Sequence, residues 1–327
     1  MNNNLLALIV FLVFLLIFIA VFVIDIIRRK KQNGKYHKSE VLVGFGLMIP
    51  AVVLAFFLVV LPIFFSFTFA FENYNLLKPD KATFVGFKNF ADLFDELAQG
   101  GEILTALKNT ALFVVLVVPL QITLALLLAL FCNNKRKGTT IFKVCFFAPV
   151  AISLSVTAFL WLIILSPSES GIVNSILRIF GVEPQVFTKQ ENAIIVWMVI
   201  MSAWQGCGFQ MLIFLSALGN IRKDLYEAAA VDGAGPIRRF FTITLPGLKP
   251  TLVYIVITVF IGACRVMIQP MLITGYEDTG ITLSLYMYER GFAFRKVGYS
   301  CAVALILTFI IGSITFAQRK LLGEKKK

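Results

Sequence analysis

Acidic side chains are scarce in this chain. Its 18 Asp and Glu face 30 Lys and Arg, and charged residues make up 15% of 327 positions, against about 25% in an ordinary soluble domain. Histidine is scarcer still: the single one, His37, stands in a Lys-rich loop and reads as a solvated loop residue rather than a catalytic one. The five cysteines (Cys132, Cys145, Cys207, Cys264 and Cys301) are odd in number, lie in or beside apolar runs and form no Cys-x-x-Cys pair. Neither a disulfide framework nor a zinc site is indicated. There is also no Gly-x-x-x-x-Gly-Lys-Ser/Thr loop to cradle phosphates, no His/Cys/Asp/Glu metal cluster, and no nucleophile with its base. The chain is therefore expected to have no catalytic residue, to bind no cofactor or metal, and not to hydrolyse ATP by itself.

What the chain has in abundance is apolar side chains. They make up 59% of the sequence, 33 Phe among them, well above the roughly 45–50% of soluble domains. The runs are long enough to cross a hydrocarbon core of about 30 Å as helices rising about 1.5 Å per residue. The expected class is an all-α polytopic integral membrane protein with about seven spans. They are placed at residues 5–27, Val41 to Phe71, Leu104 to Phe131, Ile141 to Leu165, Ala193 to Leu218, Leu252 to Ile273 and Tyr299 to Phe316. Pro50 and Pro62 predict a kink or tilt in the second span, and Pro149 interrupts the first half of the fourth. Ile172 to Phe180 reads as a short interfacial helix. The first span does not read as a cleaved signal, because uncharged Met1 to Asn4 precede it and Arg28 to Lys31 follow.

The net charge of +12 reads as topology, not as affinity for nucleic acid. Basic residues cluster at span ends, and an outside N-terminus leaves about two-thirds of the Lys and Arg on the inner side. The C-terminus and the segment 221–250 are then cytoplasmic.

That segment is a polar insert between two apolar runs. Leu225 to Val231 predicts a short Ala-rich helix, Gly233 a left-handed end, and Gly235-Pro236 the start of a second helix. Leu245-Pro246 is expected to end that second helix before the next span. Glu227, Ala228, Ala229, Gly233, Ile243, Leu245 and Pro246 stand at a spacing that resembles the signature loop of the membrane-spanning permeases of binding-protein-dependent ABC importers. Asp232 belongs to the same stretch. Phe84 to Phe90, Leu107 to Thr110, Thr274-Gly275 and Leu283 to Tyr288 look like external portions of the sugar-type members. The chain departs from them at Ile221-Arg222-Lys223, where Pro commonly follows Ile, and at Tyr276-Glu277-Asp278, where Gly-Gly-Pro is usual.

The resemblance covers roughly Leu47 to Phe316. It implies a six-helix permease domain (residues 41–327) of the MetI-like type, preceded by an added helix and basic linker (residues 1–40). It also implies a multi-pass subunit of the bacterial cytoplasmic membrane, similar to the larger permease of carbohydrate importers. Its partners would be a second, related permease, two ATPase subunits that hold ATP and Mg, and an external solute-binding protein delivering a sugar or oligosaccharide. Through its Glu227 helix, the cytoplasmic coupling loop 221–250 would dock on the ATPase.

Polar side chains inside spans are costly in lipid and mark a water path or a partner helix. Trp204, Gln205 and Gln210 in the fifth span fit this description, with amides beside an aromatic face suited to a sugar ring; packing between helices is their alternative role. So do Arg265 and Gln269, whose spacing puts both on one face of the sixth helix. Two other classes compete. An ion-coupled secondary transporter would need intramembrane carboxylates, and the acid closest to a span interior is Asp25. A non-transport membrane scaffold would have no use for Arg265 or the glutamines facing water.

Overall fold

The computed structural model describes residues 10–16, 18–24, 38–133, 138–168, 171–187, 191–274 and 280–322. His37, Asp25, the basic clusters at 28–31 and 134–137, the stretch 275–279 and the terminal lysines lie outside the described residues. Among those described there is no extended strand, only the isolated bridges Glu72 to Phe84 and Asn75 to Lys296.

Helix α1 (Val10–Ile24) is apolar but spans only about 22 Å at helical rise; the rest of the expected first span lies outside the described residues. Its phenylalanines recur at helical spacing and seat it on α2 (Lys38–Ala55) and the turn that follows. Phe18 and Phe22 come within 5.9 and 4.5 Å of Phe45, and Phe11 and Phe14 within 5.2 and 4.9 Å of Phe56. Such ring pairs contribute packing beyond their buried area. A π turn, Phe56–Val60, joins α2 to α3 (Leu61–Phe69). Pro62 has no N–H for the carbonyl four residues back, and the chain widens just before it.

Helix α4 (Lys88–Ala98) leads through Gly100, at φ +74°, into the long α5 (Glu102–Asn133). The fourth expected span is two helices, α6 (Thr139–Phe147) and α7 (Leu154–Ile164), meeting at 102°. Pro149 closes α6 in a tight turn, and Ser153 caps the new helix by accepting from the Val156 N–H. Helix α8 (Ile172–Ile179) is the short helix expected over Ile172 to Phe180. Its Asn174 faces inward and donates to the Ser166 and Gln185 carbonyls, while Ile172, Ile176 and Ile179 face out.

After α9 (Glu191–Gly219) come α10 (Lys223–Val231) and α11 (Pro236–Arg239). A second π turn, Phe240–Thr244, joins α11 to α12 (Leu245–Cys264), again just before a proline, Pro246. Short helices α13 (Ile268–Thr274) and α14 (Leu283–Tyr288) and a third π turn, Glu289–Ala293, precede α15 (Val297–Leu322). Among the described residues, five helices are long and apolar enough to cross a bilayer, and the bent α6–α7 pair makes a sixth if it counts as one span.

Helices α5 and α9 form the central pair. Phe113 and Val117 pack with Ile194 and Met198 in one cluster, and Ile122, Ala125 and Ala129 pack with Met211 and Phe214 in another, which Leu248, Ile255 and Val259 of α12 complete. Two glycines of α9 set its close approaches, Gly206 to α5 and Gly208 to α6. A Cβ on Gly206 would stand 2.1 Å from Gln121 Nε2, and one on Gly208 would stand 2.1 Å from the Phe146 carbonyl. Small residues at a helix crossing are what tight packing in lipid requires. The up-and-down course puts α4 and α14 at one end of the bundle and α10 at the other.

Candidate functional site

The α10 segment forms the expected corner. The Gly233 N–H donates to the Ala230 carbonyl at 3.1 Å and the Ala234 N–H to the Ala229 carbonyl at 2.8 Å. This double closure requires the left-handed Gly233, at φ +74°. Gly235 and Pro236 then start α11. Leu245-Pro246, expected to stop the second helix, does not. The π turn absorbs the proline, and Pro236–Cys264 runs on as one rod. Glu227, Ala228, Asp232, Gly233 and Pro246 are exposed; Ala229, Ile243 and Leu245 are half-buried. No described side chain pairs with Glu227. Asp224 is paired with Arg222, whose guanidinium holds its carboxyl below the usual carboxylate range. The two arms are tied where the Tyr226 and Thr244 hydroxyls meet at 2.9 Å. Around them Leu225, Val231, Ile237 and Phe241 are 49, 89, 76 and 60% exposed.

Midway along the bundle, residues of α5, α7, α9, α12, α13, α14 and α15 line a half-open cavity of about 590 Å³. Of the sequence candidates, Gln210, Arg265 and Gln269 line it. Arg265 and Gln269 do not share a helix face, because α12 stops at Cys264, Arg265 caps it, and Gln269 rides on α13. The break is stable because the carbonyls it orphans are bonded: Ser284 Oγ donates to Cys264 O at 3.2 Å and Thr282 Oγ1 to Val266 O at 2.7 Å. The Arg265 guanidinium is left exposed with no partner among the described side chains. Gln269 is 4% exposed and accepts from Ser202 Oγ at 2.7 Å. Gln210 Oε1 is buried without a partner among the described residues.

Trp204 and Gln205, the other two candidates of the fifth span, do not line this cavity. The Trp204 ring stands 6.3 Å from Trp161, and Gln205 Nε2 donates to the Ile152 carbonyl at 3.0 Å, holding the α6–α7 elbow. Sequence reading passed over Gln121, which lines the cavity from inside an apolar run. The rule that marked Gln210 marks it equally. Thr258 and Thr308 line it too, although each hydroxyl also bonds its own helix.

At the α4 end lies a polar cluster with no counterpart in the sequence reading. Glu96 of α4 accepts from the Tyr286 hydroxyl at 2.8 Å and from the Tyr299 hydroxyl at 2.7 Å. Arg290 pairs with Glu102, lies 3.7 Å from Glu96, and stacks over the Tyr286 and Phe294 rings at 4.7 and 4.8 Å. Burial, with the Glu96 bond adding to it, pushes the Tyr286 phenol up to about 12, so it remains a donor at neutral pH.

A helical bundle with a mid-span, mostly apolar cavity that carries three glutamines and an arginine, and with an exposed corner at one end, suits a transport subunit. Residues 121–325 match the family of binding-protein-dependent transport system inner membrane components, and the chain belongs to it. It is thus a multi-pass transport permease. Among its relatives are the arabinooligosaccharides transport system permease protein AraP of Bacillus subtilis, 33% identical over 84% of this chain and 85% of that one, and the lactose transport system permease protein LacF of Rhizobium radiobacter, 32% identical over 68% and 76%. The fold is shared with a chain of a bacterial alginate ABC transporter, solved in complex with an alginate pentasaccharide-bound periplasmic protein. That match has a TM-score of 0.75 at 22% identity and covers 88% of this chain and 98% of that chain.

Proposed function

We propose that this chain is the larger-type permease subunit of a bacterial importer for an oligosaccharide or similar solute, handed over by an external binding protein. It works beside a second, related permease, and two separate subunits hold ATP and Mg and hydrolyse the nucleotide. The observation that carries this reading is the rigid, outward-facing α10 corner, with Glu227 unpaired and an apolar rim around it. A short rod closed by its own backbone bonds moves as one piece, and an exposed acid beside exposed Leu225, Val231 and Ile237 suits a groove lined by apolar and basic groups.

The cavity fits the proposed cargo. Its apolar walls suit the hydrophobic faces of sugar rings, and Gln121, Gln210, Gln269 and Arg265 present amide and guanidinium groups to hydroxyls. The names of the relatives support a carbohydrate, and the positive-inside pattern supports α10 in the cytoplasm. The test is uptake of labelled oligosaccharides by vesicles carrying the full transporter, together with thiol labelling of Gly233→Cys. Saturable ATP-dependent uptake and labelling from the cytoplasmic face alone are expected. Labelling from outside would invert the topology, and absence of uptake for every sugar tested would remove the carbohydrate assignment.

A further inference from the structure

Helix α14 stands between two spaces. Ser284 and Met287 on one face line the central cavity, while Tyr286 on the other reaches Glu96 and Tyr299. Beyond them, at the α4 end, is a second, polar pocket of about 520 Å³, bordered by Glu96, Arg290, Tyr299, Lys88 and Asp92. Helix α14 thus lies on the side of the cavity that faces the α4 end.

The helix is held on every side. Thr110 of α5 accepts from the Leu283 N–H at 2.8 Å, Asn109 donates to the Ile281 carbonyl at 3.0 Å, and Ser300 of α15 donates to the Met287 carbonyl at 2.6 Å. These ties anchor backbone; the Glu96–Tyr286–Tyr299 cluster and the Arg290–Glu102 pair join side chains from α4, α5, α14, the third π turn and α15. They differ from the anchors in two respects that suit release. Glu96, Glu102 and Arg290 keep 30, 24 and 19% of their side-chain surface in contact with solvent, so the charges can rehydrate when parted. The segment that carries Arg290 is a π turn followed by Arg295 in the left-handed region at φ +62°, a conformation that costs energy for a residue with a Cβ.

We propose that Glu96, Tyr286, Tyr299 and Arg290 form a latch that holds α14 closed over the cavity at the α4 end, and that parting it admits the solute. They act as positioning residues for α14. The proposal rests on the cavity being the transport path.

The test is labelling of Thr258→Cys, on the cavity wall, by a sugar-sized membrane-impermeant maleimide. The reagent is applied to each face of vesicles carrying the full transporter without ATP, and labelling of the parent chain is subtracted. Glu96→Ala should raise the rate from the α4 face about tenfold relative to the α10 face, as expected for loss of hydrogen bonds to a charged group. Tyr299→Phe, which removes one hydroxyl and preserves the ring, should move the ratio in the same direction and serves where Glu96→Ala fails to assemble. A purely structural role would lower the amount of assembled transporter and leave the ratio unchanged; an unchanged ratio in Tyr299→Phe overturns the latch. A thiol unreachable from either face in every variant would instead remove the cavity from the transport path, and the latch with it.

Discussion

The two ends of the bundle hold their short helices in opposite ways. At the α4 end, α14 is fixed by side chains of this chain alone: two tyrosines and an arginine meet Glu96 and Glu102, and hydroxyls and an amide reach its backbone. At the other end α10 closes on its own backbone, is tied to the next helix by the Tyr226–Thr244 hydroxyl pair, and leaves Glu227 and four large apolar side chains exposed. A closed polar network needs no partner, whereas an exposed apolar rim around an unpaired acid is unfavourable in water until something covers it. On the proposed reading, one end holds the path shut and the other is gripped by a partner subunit.

The largest effect should come from reversing the charge at the exposed end. Glu227→Lys is expected to abolish solute uptake while leaving membrane insertion intact, with ATP hydrolysis no longer responding to solute, as read in reconstituted vesicles. Gly233→Val comes next. A β-branched residue at φ +74° costs about 1–2 kcal/mol of backbone strain, so the corner should open and co-purification of the ATP-hydrolysing partner should fall while the chain still inserts. Arg265→Ala tests the region between the ends. Its guanidinium has no described partner, so assembly should be preserved and uptake kinetics or sugar preference should change; unchanged kinetics would make it a packing residue. The smallest effect is expected from the hydroxyl tie. Tyr226→Phe and Thr244→Val should each raise the ATP consumed per solute by a small factor, since a neutral hydrogen bond contributes about 0.5–1.5 kcal/mol. The double variant should be no worse than either single one, because both remove the same bond.

Much of this was legible in the chain. Apolar run length gives the helical class and most of the spans, and Gly233 and Gly235-Pro236 give the corner, because both signals are local. What failed was longer in range. Pro246 reads as a stop, yet a π turn absorbs it. Arg265 and Gln269 read as neighbours on one helix, yet hydroxyls from α14 stabilise a break between them and the cavity reunites the pair. Trp204 and Gln210 stand on one apolar helix, and only the packing of Gly206 and Gly208 against α5 and α6 decides which of them faces the cavity. The Glu96 cluster draws on residues nearly 200 positions apart, and no spacing rule joins them.

The central claim is that the α10 corner is the place where a separate ATP-hydrolysing subunit takes hold. Val231, 89% exposed at the tip of α10, can be replaced by a photo-reactive amino acid in living cells and the captured chain identified by mass spectrometry. Capture of an ATP-binding subunit, lost on adding Glu227→Lys, is the predicted result; capture of lipid alone, or of the same subunit at equal yield with Glu227→Lys, would contradict it.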